Sequence, residues 1–233
     1  MLEEIFTYYN TVTAILALVW LLTYTTHSEV RCELWVLGLF AIFLMPLAFT
    51  FGDPNALNVA SKFSQIGIVD IIFSFVLAGL AGTSFHAAFG KHYHKLPKPT
   101  RASLQTKASS QIWLMRLFIA FLLFIWGIVL LTLIFELAIP QAVFISAFVI
   151  AVYIVSHRRD LLADAIWSAF ITTFIVFIAS LLGTIFTGTD FSIGPISGTA
   201  TFLDVPVDLL VWSAALGLAL GPLYEFIRRL EVK

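Results

Sequence analysis

Seven stretches of about 20 residues are made almost entirely of apolar side chains, and such stretches can lie in hydrocarbon only as helices that satisfy their own backbone groups. They run over 5–25, 34–51, 65–86, 112–135, 140–156, 161–186 and 206–227. Little chain is left outside them. Only 12% of the 233 residues are charged, about half the share usual in a soluble domain. The expected fold is all-α: a polytopic, multi-pass protein of the cell membrane with seven transmembrane helices. The opening MLEEIF starts with acids rather than a basic region, so the first helix is expected to be a true span and not a signal peptide.

The sparse charges set an expected orientation. Arg31, Lys91, Lys95, Lys98, Arg101, Lys107, Arg158, Arg159, Arg228, Arg229 and Lys233 fall at one end of the spans, and Lys62 falls at the other. By the positive-inside rule the N-terminus is out and the C-terminus in the cytoplasm. Arg116 lies about one turn into the fourth span, close enough to the interface to snorkel. Thirteen basic residues against fourteen acidic ones leave a net charge of −1. No basic field exists for nucleic acid. The one cysteine, Cys32, excludes an intramolecular disulfide and a cysteine-rich metal site.

The chain also resembles itself. At an offset of 138, VDIIFSFVLAGLA (69–81) aligns with VDLLVWSAALGLA (207–219), and Trp35 and Trp167 stand near the starts of the second and sixth spans. Two parallel three-helix units joined by a fourth helix explain this, a 3+1+3 internal repeat. The divisions expected are a first repeat over 1–90, a cytoplasmic linker over 91–111, a connecting helix over 112–135 and a second repeat over 136–233. The loop 187–205 is rich in glycine and threonine and is long enough to form a lid.

An acid within a span is costly and therefore a candidate for function. Asp70 and Asp208, matched by the repeat, sit near the outer ends of the third and seventh spans with no cation within a turn. They read either as an acid–base pair or as caps at helix N-termini. Asp164 and Glu225 read as structural, with Glu225 four residues before Arg229 on a helix. The five histidines, His27, His86, His92, His94 and His157, are expected at the cytoplasmic interface, and no metal is expected from their spacing. Asp160 and Asp164 make a lone Asp-x-x-x-Asp, short of the two such pairs that diphosphate chemistry would call for. The seventh span has no lysine for a retinal Schiff base.

RRDLLAD (158–164), PVDLLVW (206–212) and GLALGPLYEF (217–226), together with the 3+1+3 plan, resemble the lycopene cyclase domain family of membrane-embedded carotenoid cyclases. The resemblance implies acid–base isomerisation of the end of a linear carotenoid or other isoprenoid. A proton is added to the terminal double bond, the resulting tertiary cation closes a ring, and a proton is removed. No cofactor is needed. The family's Pro-x-Glu-Glu motif falls on Pro206, Val207, Asp208 and Leu209, and in the first half on Ile68, Val69, Asp70 and Ile71; each half has one acid, as Asp. The catalytic residues implied are Asp208 and Asp70. Trp212, Phe73, Phe75, Pro206, Tyr224 and Glu225 would line the substrate site. The partners implied are a long apolar isoprenoid or lipid ligand and the membrane lipids, and a homodimer stays open. A non-catalytic isoprenoid-binding protein or a small-solute transporter on the same scaffold is the alternative. For a transporter, Gly79, Gly82, Gly217 and Gly221 would permit close, sliding helices.

Overall fold

The structure is a computed structural model, and it describes the backbone of residues 2–51, 67–90, 93–95, 108–137, 139–188, 201–203, 205–228 and 230–232. Eight α-helices fall within these residues: α1 (Leu2–Thr26), α2 (Arg31–Phe51), α3 (Ile68–Phe89), α4 (Ala108–Phe135), α5 (Ile139–His157), α6 (Leu162–Thr187), α7 (Val207–Leu220) and α8 (Leu223–Arg228). Among the described residues, four segments are long and apolar enough to cross a membrane: Ile68–Phe89, Met115–Phe135, Arg159–Thr187 and Leu209–Arg228.

Two boundaries differ from expectation. The helix expected from 112 begins at Ala108, inside the expected linker. The seventh apolar stretch is broken into α7 and α8 at Gly221-Pro222. Proline has no N–H to give to the preceding turn, so the ladder stops and restarts. It restarts when Phe226 N–H donates to the Pro222 carbonyl at 3.0 Å. The fold also carries two short antiparallel ribbons. Strand β1 (Tyr93–Lys95) pairs with β4 (Leu230–Val232), tying the segment after α3 to the C-terminal tail, and β2 (Thr201–Phe202) pairs with β3 (Val205–Pro206) just ahead of α7.

Helix α3 lies at the centre and packs against α1, α2, α6 and α7; α5 packs on α7, and α4 closes the side between α2 and α5. Polarity in α6 runs from inside to outside. Asp164, Ser168, Thr172 and Ser180 are buried, while Ile166, Phe170 and Phe174 are exposed. That pattern suits a helix whose outer face meets lipid rather than water.

Small residues set the closest approaches. A Cβ at Gly217 would lie 2.5 Å from the Ser168 carbonyl and 2.6 Å from Ala169 Cα, and one at Gly79 would lie 3.0 Å from the Leu34 carbonyl. These glycines let α7 lie against α6 and α3 against α2, backbone to backbone. Packing of this kind substitutes for the hydrophobic force that lipid does not supply. Gly217→Val is expected to destabilise the bundle by about 1–3 kcal/mol. Gly67→Ala, where the nearest atom to the added Cβ is 3.5 Å away, should change little. Unfolding in mixed detergent micelles measures both.

Candidate functional site

The end of the bundle that carries the α1–α2 and α5–α6 turns gathers four ionisable side chains into its interior. Glu33 is the third residue of α2, and Asp164 is the third residue of α6. His86 is fourth from the end of α3, and Glu225 is fourth from the end of α8. None is more than 1% exposed. Helix polarity favours three of these placements, with carboxylates in first turns and an imidazole in a last turn.

The imidazole is the hub of this cluster. His86 Nε2 lies 3.0 Å from Glu225 Oε1 and 3.7 Å from Asp164 Oδ2. Ligating atoms of Glu33, His86 and Glu225 all fall within 4.8 Å of one another. Asp164 Oδ1 accepts from Ser168 Oγ at 3.1 Å. A polar belt continues from there: Ser84 Oγ donates to the Ser168 carbonyl at 3.4 Å and lies 3.3 Å from Thr172 Oγ1. These bonds fasten α3 to α6 beside the cluster. On the outer side, Arg228 Nη1 donates to Tyr224 Oη at 2.5 Å, and Tyr224 Oη lies 3.8 Å from Cys32 Sγ. Arg158 pairs with Asp160 and reaches the Glu225 carbonyl at 3.5 Å.

Several sequence expectations need correction. His86 is buried among acids instead of lying at the interface, because the last turn of α3 is enclosed by α2, α6 and α8. Asp164 and Glu225, read as structural, face that histidine. Asp160 and Asp164, read as a lone Asp-x-x-x-Asp short of a diphosphate site, stand apart: Asp160 is exposed on Arg158, while Asp164 points inward. Of the other histidines, His157 is exposed and His27 half-buried, and the side chains of His92 and His94 lie outside the described residues, as does that of Arg229.

At the other end of the bundle, Asp70 Oδ2 accepts the Gly67 N–H at 2.8 Å and so closes the first turn of α3. Tyr9 hydrogen-bonds to the same carboxylate. The side chain of Asp208 lies outside the described residues; its backbone is in the first turn of α7. One turn further in, Phe73 and Trp212 stack with centroids 6.3 Å apart, so α3 and α7 do meet there. Phe75 sits apart, in an aromatic group with Trp20 and Trp35 at 5.4 and 5.3 Å. Pro206 is buried and precedes the first turn of α7.

Between the two ends lies an apolar cavity lined by residues that include Ala41, Ala78, Phe121, Ile150, Leu216 and Leu223. Leu223 is two residues from Glu225, on the same short helix. The cavity and the ionisable cluster thus share α8, on different faces of that helix.

Glu33 had no standing in the sequence beyond a charged turn. The available signal was positional: an acid at the third residue of α2 and again of α6, and an ionisable group fourth from the end of α3 and again of α8. Compared with protein-family models, curated proteins and solved structures, the chain matches none.

His86→Ala removes the group shared by the buried carboxylates. It is expected to cost about 3–5 kcal/mol of stability, whereas Asp70→Ala, which loses a cap, should cost about 1 kcal/mol. Detergent-titrated unfolding of the two variants beside the parent checks the order.

Proposed function

We propose that the chain is a seven-span membrane protein of 3+1+3 plan, related to the lycopene cyclase domain family, that binds a long apolar isoprenoid or lipid and isomerises it by proton addition and removal. The observation that carries this reading is a buried Glu33–His86–Asp164–Glu225 cluster in the same bundle as an apolar cavity, the two sharing α8. The cavity suits a ligand without polar groups, and the cluster is the one place among the described residues where carboxylates and an imidazole meet out of water.

The reaction is redox-neutral. An acid gives a proton to a terminal double bond, the carbocation is attacked by a neighbouring double bond to close a ring, and a base takes a proton from the adjacent carbon. Water must be kept from the cation, and apolar and aromatic walls do that. Phe121 and Phe124 in the cavity lining are placed for it. The reading moves the chemistry from the Asp70 and Asp208 end to the opposite one, since Asp70 is engaged in closing its own helix. A sugar or ion carrier fits less well, because the cavity offers such a solute no polar group.

The repeat draws support from matching packing: Gly79 and Gly217, 138 residues apart, bring α3 onto α2 and α7 onto α6. The orientation can be read from Cys32, the one thiol in the chain and an exposed one. A membrane-impermeant maleimide is expected to label Cys32 in inside-out vesicles and not in intact cells. Labelling from outside would reverse the topology.

Expression in lycopene-accumulating cells, followed by pigment chromatography, tests the activity. Ring-bearing products are expected from the parent chain and from Asp70→Asn, and a loss of at least tenfold is expected in Glu225→Gln and Asp164→Asn. Unchanged lycopene with the folded parent chain in the membrane would leave a binding role on this scaffold and end the cyclase reading. Loss in Asp70→Asn alone would return the chemistry to the other end.

A further inference from the structure

We propose that Glu33, His86 and Glu225 together bind one divalent first-row transition cation, with the Asp164 carboxylate as a fourth donor at the edge of the site. The inference does not rest on the isoprenoid reading and competes with it for the same side chains, because a carboxylate that coordinates a cation is not free to pass a proton.

The geometry comes first. The three donor atoms converge within 4.8 Å from three separate helices, α2, α3 and α8. Donors about 2.1 Å from a transition cation lie roughly 3–3.5 Å from one another, and His86 Nε2 and Glu225 Oε1 already stand 3.0 Å apart. Asp164 supplies the second, independent observation. It is 1% exposed, its Oδ1 is occupied by Ser168, and its Oδ2 accepts no hydrogen bond from a described residue while lying 3.7 Å from the histidine.

Charge points the same way. Three carboxylates and one imidazole are packed together out of water. A buried carboxylate is stable when it is paired or when it coordinates a metal. A dication held by these side chains would be a partner of that kind.

Donor chemistry narrows the ion. One nitrogen among carboxylate oxygens suits Mn²⁺, Fe²⁺, Co²⁺ or Zn²⁺, while Mg²⁺ and Ca²⁺ prefer all-oxygen shells and copper(I) prefers sulfur. Cys32 is adjacent in sequence to Glu33 but exposed, with its sulfur 3.8 Å from Tyr224 Oη. Ser168, bonded to Asp164, would orient that carboxylate as outer partners of metal ligands do.

The test uses the full chain in detergent, with any affinity tag removed, stripped by chelator and dialysed. Titration with Co²⁺ read by visible absorption, and equilibrium dialysis against Zn²⁺, are expected to give one equivalent per chain. His86→Ala and Glu225→Gln should bring this below about a tenth of an equivalent. Ser168→Ala should weaken binding roughly tenfold, and Asp160→Asn, at an exposed acid outside the cluster, should leave it unchanged. Circular dichroism and gel-filtration profiles matching the parent show that the variants are folded. Less than a tenth of an equivalent on the folded parent chain, or parent-like binding in Glu225→Gln, overturns the proposal. Because no isoprenoid is present, failure here leaves the pigment experiment untouched, and failure there leaves this one untouched.

Discussion

In hydrocarbon, apolar side chains gain nothing by leaving their surroundings for one another, so a helical bundle must be held by close backbone contact and by polar groups that find partners inside it. Both devices occur here, and they occur together. Gly217 brings α7 within touching distance of the Ser168 carbonyl, and Ser168 is also the residue whose hydroxyl holds Asp164 and whose carbonyl takes the Ser84 hydroxyl. The α3–α6–α7 contact is thus at once a close backbone approach and a wall of the ionisable cluster. Loosening it would misplace Asp164 relative to His86.

The cluster follows from where helices end. Four ionisable residues are each within a turn of a terminus, and the bundle brings those termini to one place. First turns offer partial positive charge to Glu33 and Asp164, and the last turn of α3 offers partial negative charge to His86. The break at Gly221-Pro222 completes the arrangement by starting the short helix α8, which carries Glu225 to the imidazole. That break also leaves Leu223 in the wall of the apolar cavity, so one short helix contributes to both the cavity and the ionisable cluster.

Much of the architecture was legible in the order of residues. Six of the seven expected apolar stretches each fall largely on one described helix, and the seventh on two, because a run of some 20 apolar residues has few ways to satisfy its backbone in lipid. Glycine spacing was legible too, since Gly79 and Gly217 do stand where backbones meet. The site was not. Asp70 and Asp208 drew attention because they lacked nearby cations along the chain, yet Asp70 is satisfied by the Gly67 N–H of its own first turn. His86 looked like one of several basic-loop histidines, since sequence distance to Asp164 and Glu225 hides their meeting.

The sequence by itself determined that the chain is mostly helical, that it carries segments long and apolar enough to cross a membrane, and where glycine permits close approach, because these depend on local composition and on a solvent that forbids unpaired backbone. Only the tertiary structure decided which ionisable groups share an environment. Contacts between residues 33, 86, 164 and 225 depend on how α2, α3, α6 and α8 are arranged about one another, and helix-to-helix arrangement is fixed by packing across the whole bundle rather than by any single segment. The same physical reason explains why His86 is a buried hub while His157, also in the last turn of its helix, is exposed.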